Sequence, residues 1–143
     1  MRDASASDAS RSASTWLSAY TPQAIGLLRI VAALLYIEHG TQKLLNFPIR
    51  PTGAVQLLSL LGVAGVLDCF GGLLILIGLY MRVAAFILAG EMAVAYWFFH
   101  APASIFPLLN MRDTAILFCF IVLMLVCYGL GAWSLDSQIR VRR

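Results

Sequence analysis

Residues 27–45, LLRIVAALLYIEHGTQKLL, decide the fold. A membrane-crossing helix needs roughly 20 predominantly apolar residues, and this run has that length and character. Yet it carries Arg29, Glu38, His39 and Lys43. Ionisable groups at membrane depth are expensive, so they mark pairing or functional sites. The question for the rest of the chain is what could meet them.

The 143-residue chain is 61% hydrophobic and only 12% charged, whereas soluble domains are about half apolar and about a quarter charged. The composition therefore excludes an ordinary soluble domain and gives an all-α, integral membrane protein with room for about four spans. The net charge of +3, carried by dispersed basic residues, excludes a nucleic-acid partner. Cys69, Cys119 and Cys127 lie in apolar stretches without C-x-x-C spacing, so neither a disulfide framework nor a metal site is expected. Cys119 and Cys127 are separated by roughly 80° around a helix, which argues against a membrane thiol–disulfide oxidoreductase. No flavin, nicotinamide or iron–sulfur motif is present, so no intrinsic cofactor is expected.

In chain order, residues 1–20 read as a disordered tail rich in Ser and Ala, ending at the interfacial aromatics Trp16 and Tyr20. No apolar core precedes a cleavage site, so the tail does not read as a signal peptide. Residues 21–136 hold four helices, expected at about 23–45, 54–79, 83–100 and 111–131, with Thr21-Pro22 opening the first. Pro48, Pro51 and Gly53 make the first connection a loop, and Pro102 and Pro107 the third. Residues 137–143 form a basic tail. Lys and Arg near the span ends divide unequally. Arg2, Arg11, Arg29, Arg82, Arg140, Arg142 and Arg143 lie on one side, with Lys43, Arg50 and Arg112 on the other. The positive-inside rule then puts both termini in the cytoplasm.

Depth estimates at about 1.5 Å per residue put Asp68 and Glu91 near mid-bilayer. Arg29 starts nearer the cytoplasmic side, within side-chain reach of either acid. Asp68 is flanked at helical spacing by Ala64, Gly65, Gly71 and Gly72, a small-residue face that lets helices approach. Two polar layers are expected. The first is a buried ion network of Arg29, Asp68 and Glu91, which either fixes helix register or holds a proton-exchanging carboxyl. The second is an outer cluster of Glu38, His39, Gln42, Lys43, His100, Asn110, Arg112 and Asp113, a candidate ligand site. Within it Glu38, His39, Lys43, His100 and Asp113 are the candidate ligand-binding residues. Local readings stand beside these. Lys43 can snorkel to the outer interface, Asn110 and Asp113 can cap the fourth helix, and Trp97-Phe98-Phe99 can form an aromatic belt. His39 and His100 sit on different helices, as a haem pair would, but a polar contact with Glu38 or Asp113 is simpler.

The ordered runs LLRIVAALLYIEHGTQKL, GVLDCFGGLLILIGLYMR and GEMAVAYWFFHAP, followed by an N-x-x-acid start to the fourth helix and by GAWSLD, resemble the DoxX family over about 27–136. The resemblance implies a small four-helix bundle in the bacterial inner membrane and a link to membrane redox and sulfur metabolism. The family takes its name from a subunit of a thiosulfate:quinone oxidoreductase. Two departures stand out. Asp68 occupies a position where such sequences suggest glutamate, and Asn110-Met111-Arg112-Asp113 replaces a pattern resembling Asn-Gly-Gly-Glu.

Three functions follow as expectations. The leading one is a subunit or accessory of a quinone- or sulfur-linked redox system, with quinone as ligand and a redox protein as partner. The others are an assembly protein without catalysis and a small proton or solute pathway. The last would require a homo-oligomer, because four helices make a thin pore wall.

Overall fold

In a computed structural model, residues 16–110 and 113–141 are described. Expectations for residues 1–15, for Met111 and Arg112, and for Arg142 and Arg143 lie outside the described residues. The described chain is helical, without strands. Four longer helices are α1 (Thr21–Leu45), α2 (Leu60–Ile77), α3 (Met81–Ala95) and α4 (Asp113–Tyr128). α1, α2 and the stretch Met81–His100 are long and apolar enough to cross a membrane, while α4 is a shorter apolar helix.

Local chemistry sets the helix ends. α1 leaves through Asn46, held in the left-handed region at φ 55°, a conformation Asn tolerates better than most residues. The Asn46 Oδ1 then accepts from the Arg50 N–H at 2.7 Å, folding the loop onto the helix end. α2 starts later than the expected Ala54. Val55 N–H donates to the Lys43 carbonyl at 2.9 Å, and Ser59 Oγ accepts from Gly62 N–H at 3.0 Å as an N-cap. Thus 54–59 drape over the end of α1 before the helix begins. α2 stops at Gly78, with φ 68°, a left-handed helix end where glycine carries no Cβ penalty. α3 continues as a π-helical turn, Tyr96–His100, and Tyr96 Oη donates to the Ile105 carbonyl at 2.9 Å, drawing the next loop back.

Three further differences from the sequence reading are local. Residues 16–19, placed in the disordered tail, are helical. Short helices occupy Pro107–Asn110 and Leu135–Val141, the second covering most of the expected basic tail. α4 ends at Tyr128, because Gly129 and Gly131 adopt positive φ.

α1 packs along α2, α2 on α3, and α3 on α4, with α1 also touching α4. The core between them contains Ala33, Tyr36, Ile75, Leu88, Val122 and Leu125. Elsewhere Leu27, Phe70, Phe86 and Phe120 point outward, as lipid-facing positions do. α1 and α2 come closest at Gly40, where an added Cβ would lie 2.7 Å from Cys69 N and 2.8 Å from the Gly65 carbonyl oxygen. That approach sets the level at which α1 residues face α2.

Candidate functional site

Lys43 lies on the inward face of α1, about one turn above Gly40 and two above Tyr36. Helical side chains lean toward the N-terminus of their own helix, so the Lys43 chain runs back into the fold. Its Nζ donates to Asp68 Oδ2 on α2 at 2.6 Å and stands 3.8 Å from Glu91 Oε1 on α3. One cation thus bridges two acids from two other helices. The Asp68 side chain has no exposed surface, that of Glu91 is 8% exposed and that of Lys43 18%.

The other carboxylate oxygens, Asp68 Oδ1 and Glu91 Oε2, are buried without a hydrogen-bond partner, and so is the hydroxyl of Tyr36. Tyr36 is fully buried, its ring edge-on to Phe118 of α4 at 5.0 Å, and its hydroxyl is within electrostatic reach of both acids. Buried polar groups are normally hydrogen-bonded, and an orphan group calls for an explanation. Here two orphan carboxylate oxygens belong to the acids that Lys43 bridges, and the orphan Tyr36 hydroxyl lies within electrostatic reach of both acids. The arrangement can donate hydrogen bonds through Lys43 and Tyr36, and it can accept or pass protons through two carboxyls.

Arg29 does not join this cluster, which corrects the expected Arg29–Asp68–Glu91 network. Its Nη1 donates to the carbonyls of Ile75 and Leu76 at 2.6 Å each, and its Nη2 to those of Ala132 and Trp133 at 3.2 and 3.0 Å. The guanidinium satisfies carbonyls at the end of α2, where that of Ile75 also accepts from Gly78 N–H, and in the segment after α4. It is fully buried, and it ties the end of α2 to the segment after α4. Lys43, expected in the outer layer, takes its place beside the acids.

The remaining outer residues separate. Glu38 is exposed on the face of α1 turned away from α2. His39 is exposed, with its ring edge-on to Phe118 at 5.9 Å. His100 ends the π-helical turn, half-buried. Asp113 opens α4, and its Oδ1 accepts from Thr114 N–H at 3.0 Å. No cluster of three or more metal-binding side chains occurs among the described residues. A cleft of about 340 Å³ lies at the far end of the fold, lined by Tyr80, Arg82, Tyr128 and Asp136, away from Lys43. Tyr36 is the site residue that sequence reasoning did not single out. The signal was its spacing of seven from Lys43, which puts both on one helical face.

A half-buried lysine bridged to buried carboxylates from two neighbouring spans defines a membrane protein with an internal polar site. The chain belongs to the DoxX family, which its residues 24–101 match. It is also 42% identical over 127 residues to a Haemophilus influenzae protein described as uncharacterized. The match spans 85% of this chain and 95% of that relative. No solved structure matches it.

Proposed function

We propose that the chain is the membrane component of a quinone-linked redox system and that the Lys43 cluster receives the quinone head group. The observation that carries this reading is the unpartnered oxygens of Asp68 and Glu91 on the two acids that Lys43 bridges, with the unpartnered Tyr36 hydroxyl within electrostatic reach of both. A quinone presents two carbonyl oxygens, which suit an ammonium and a phenol as donors. Its reduction to quinol takes two electrons and two protons, and carboxyl groups inside a membrane are the usual proton carriers. The sequence holds no motif for an electron-carrying group, so the electrons come from a redox protein partner. Membership in the DoxX family supports the redox setting. The Lys/Arg distribution supports four spans in the bacterial inner membrane with both termini cytoplasmic.

The test is mass spectrometry and absorption spectroscopy of the protein purified in mild detergent from quinone-containing membranes. Wild type retains quinone, whereas Lys43→Ala and Tyr36→Phe lose it. Tyr36→Phe keeps the ring against Phe118, so its loss of ligand reports the hydroxyl and not the packing. Asp113→Ala, at the start of α4, retains quinone. A wild-type protein free of quinone overturns this reading. It would favour the assembly role, in which the cluster serves only to lock three helices in register.

A further inference from the structure

α1 has two faces. Gly26, Arg29, Ala33, Tyr36 and Gly40 turn inward. The opposite face carries Leu27, Val31, Leu34, Glu38, Thr41 and Leu45, spaced alternately by four and three residues. This is the 3.5-residue repeat along which two helices pack knobs into holes. Leu27, Val31, Leu34 and Leu45 are 58%, 47%, 51% and 72% exposed, and Glu38 is exposed among them.

Lipid covers the apolar members of this seam well, but it does not suit Glu38. The carboxyl belongs to a residue seven positions before the end of α1, or roughly 10 Å along the helix. Its side chain leans back toward mid-span. It makes no ion pair among the described residues. A carboxyl turned to hydrocarbon is costly, and such groups normally face a protein partner or a water-filled cavity. Gln42, one turn further on, offers an amide donor beside it.

We infer that the outward face of α1 packs against the same face of a second copy of the chain, as a parallel α1–α1 pair. The occupant follows from self-complementarity. Copies inserted in the same sense present the same seam in the same direction. Val31, Glu38 and Leu45 occupy one kind of seam position, Leu27, Leu34 and Thr41 the other, so the β-branched/leucine pairing falls at Val31 with Leu27 and Leu34. A β-branched residue at the first and leucine at the second favours two strands, and a single polar residue in the seam fixes register. In lipid, apolar burial does not drive association, whereas close packing and interhelical hydrogen bonds do. A Gln42 amide of one copy donating to the Glu38 carboxyl of the other supplies such a bond.

The test is oxidative cross-linking of the full chain in native membranes after Leu34→Cys or, as a control on another lipid-facing helix, Phe86→Cys. Both positions are exposed, so neither substitution disturbs the core, and wild type reports the background from Cys69, Cys119 and Cys127. Leu34→Cys gives a product of twice the 15.6 kDa chain mass, and Phe86→Cys stays at background. Adding Glu38→Leu to Leu34→Cys lowers that product about fivefold, the weight of one interhelical hydrogen bond, while Glu38→Gln preserves it. Four results each overturn the inference: equal cross-linking at both positions, none at residue 34, a product of another mass (which would make the occupant a different protein), or a Glu38→Leu variant that cross-links as well as its parent.

Discussion

Arg29 and Lys43 are both cations on the inward face of α1, but their burial is resolved in different ways. Arg29 has a planar fork of donors, and its two terminal nitrogens donate to four backbone carbonyls while Nε–H stays buried without a partner. Lysine has the charge without the fork. Arg29→Lys is therefore expected to leave carbonyls at Leu76 and Trp133 unsatisfied. Orphaned buried acceptors cost about 1–3 kcal/mol each, so the variant should lose at least one such increment in thermal unfolding in detergent. At Lys43 the issue is charge. Removing one member of a buried pair costs about 3–5 kcal/mol because the other is stranded. Lys43→Met alone should destabilise on that scale, and adding Asp68→Asn should recover part of the loss. A double-mutant cycle by unfolding in detergent measures that recovery, and strict additivity would deny the coupling. Both cations were visible in the sequence, and so were both acids. Which cation meets the acids was not, because Arg29 lies four turns from Lys43 and each could reach a carboxyl placed only by estimated depth.

At the scale of the element, the α1–α2 crossing sets that depth. The small-residue face around Asp68 was legible from Gly65, Gly71 and Gly72. Where that face meets α1, at Gly40 against Cys69 and Gly65, was decided by the contact between helices. Gly40→Ala places a Cβ against backbone atoms of Cys69 and Gly65, which cannot swing aside. Forced overpacking typically costs about 1–3 kcal/mol, and Cys69→Ala should not relieve it. Gly90 is the internal control. A Cβ there meets nothing within 4 Å, so Gly90→Ala should stabilise α3 by up to about 1 kcal/mol through helix propensity. Melting temperatures of the two variants in the same detergent should move in opposite directions. The late start of α2 had a signal too, the Ser59 cap. An apolar run from Ala54 onward hid it, because hydrophobicity alone does not separate a helix from a loop laid over a helix end.

The whole molecule is a thin helical assembly whose spans bury only about a third of their residues, 28–33% in the three longest. Much of its surface is therefore left to lipid or to other chains. In intact cells, a membrane-impermeant maleimide should label Thr52→Cys in the α1–α2 loop. It should leave Ser137→Cys, beyond α4, at the wild-type background until the cells are opened. The reverse pattern would invert the orientation and would move the Lys43 cluster toward the other leaflet. Orientation is a property of summed charge at span ends, so it belongs to this scale and not to any single arginine.

The sequence by itself determined the class, the apolar stretches and the small-residue face of α2 around Asp68. Composition and helical periodicity are local properties that survive without knowledge of neighbours. Only the tertiary structure decided that Lys43, and not Arg29, bridges Asp68 and Glu91, that Tyr36 completes the cluster, and that Glu38 faces away from it. The physical reason is that a charge pair depends on the relative level and rotation of two helices. Here those are fixed by the glycine contact at the α1–α2 crossing and by the lean of Lys43 toward its own N-terminus. Neither is encoded in the spacing of residues along one helix.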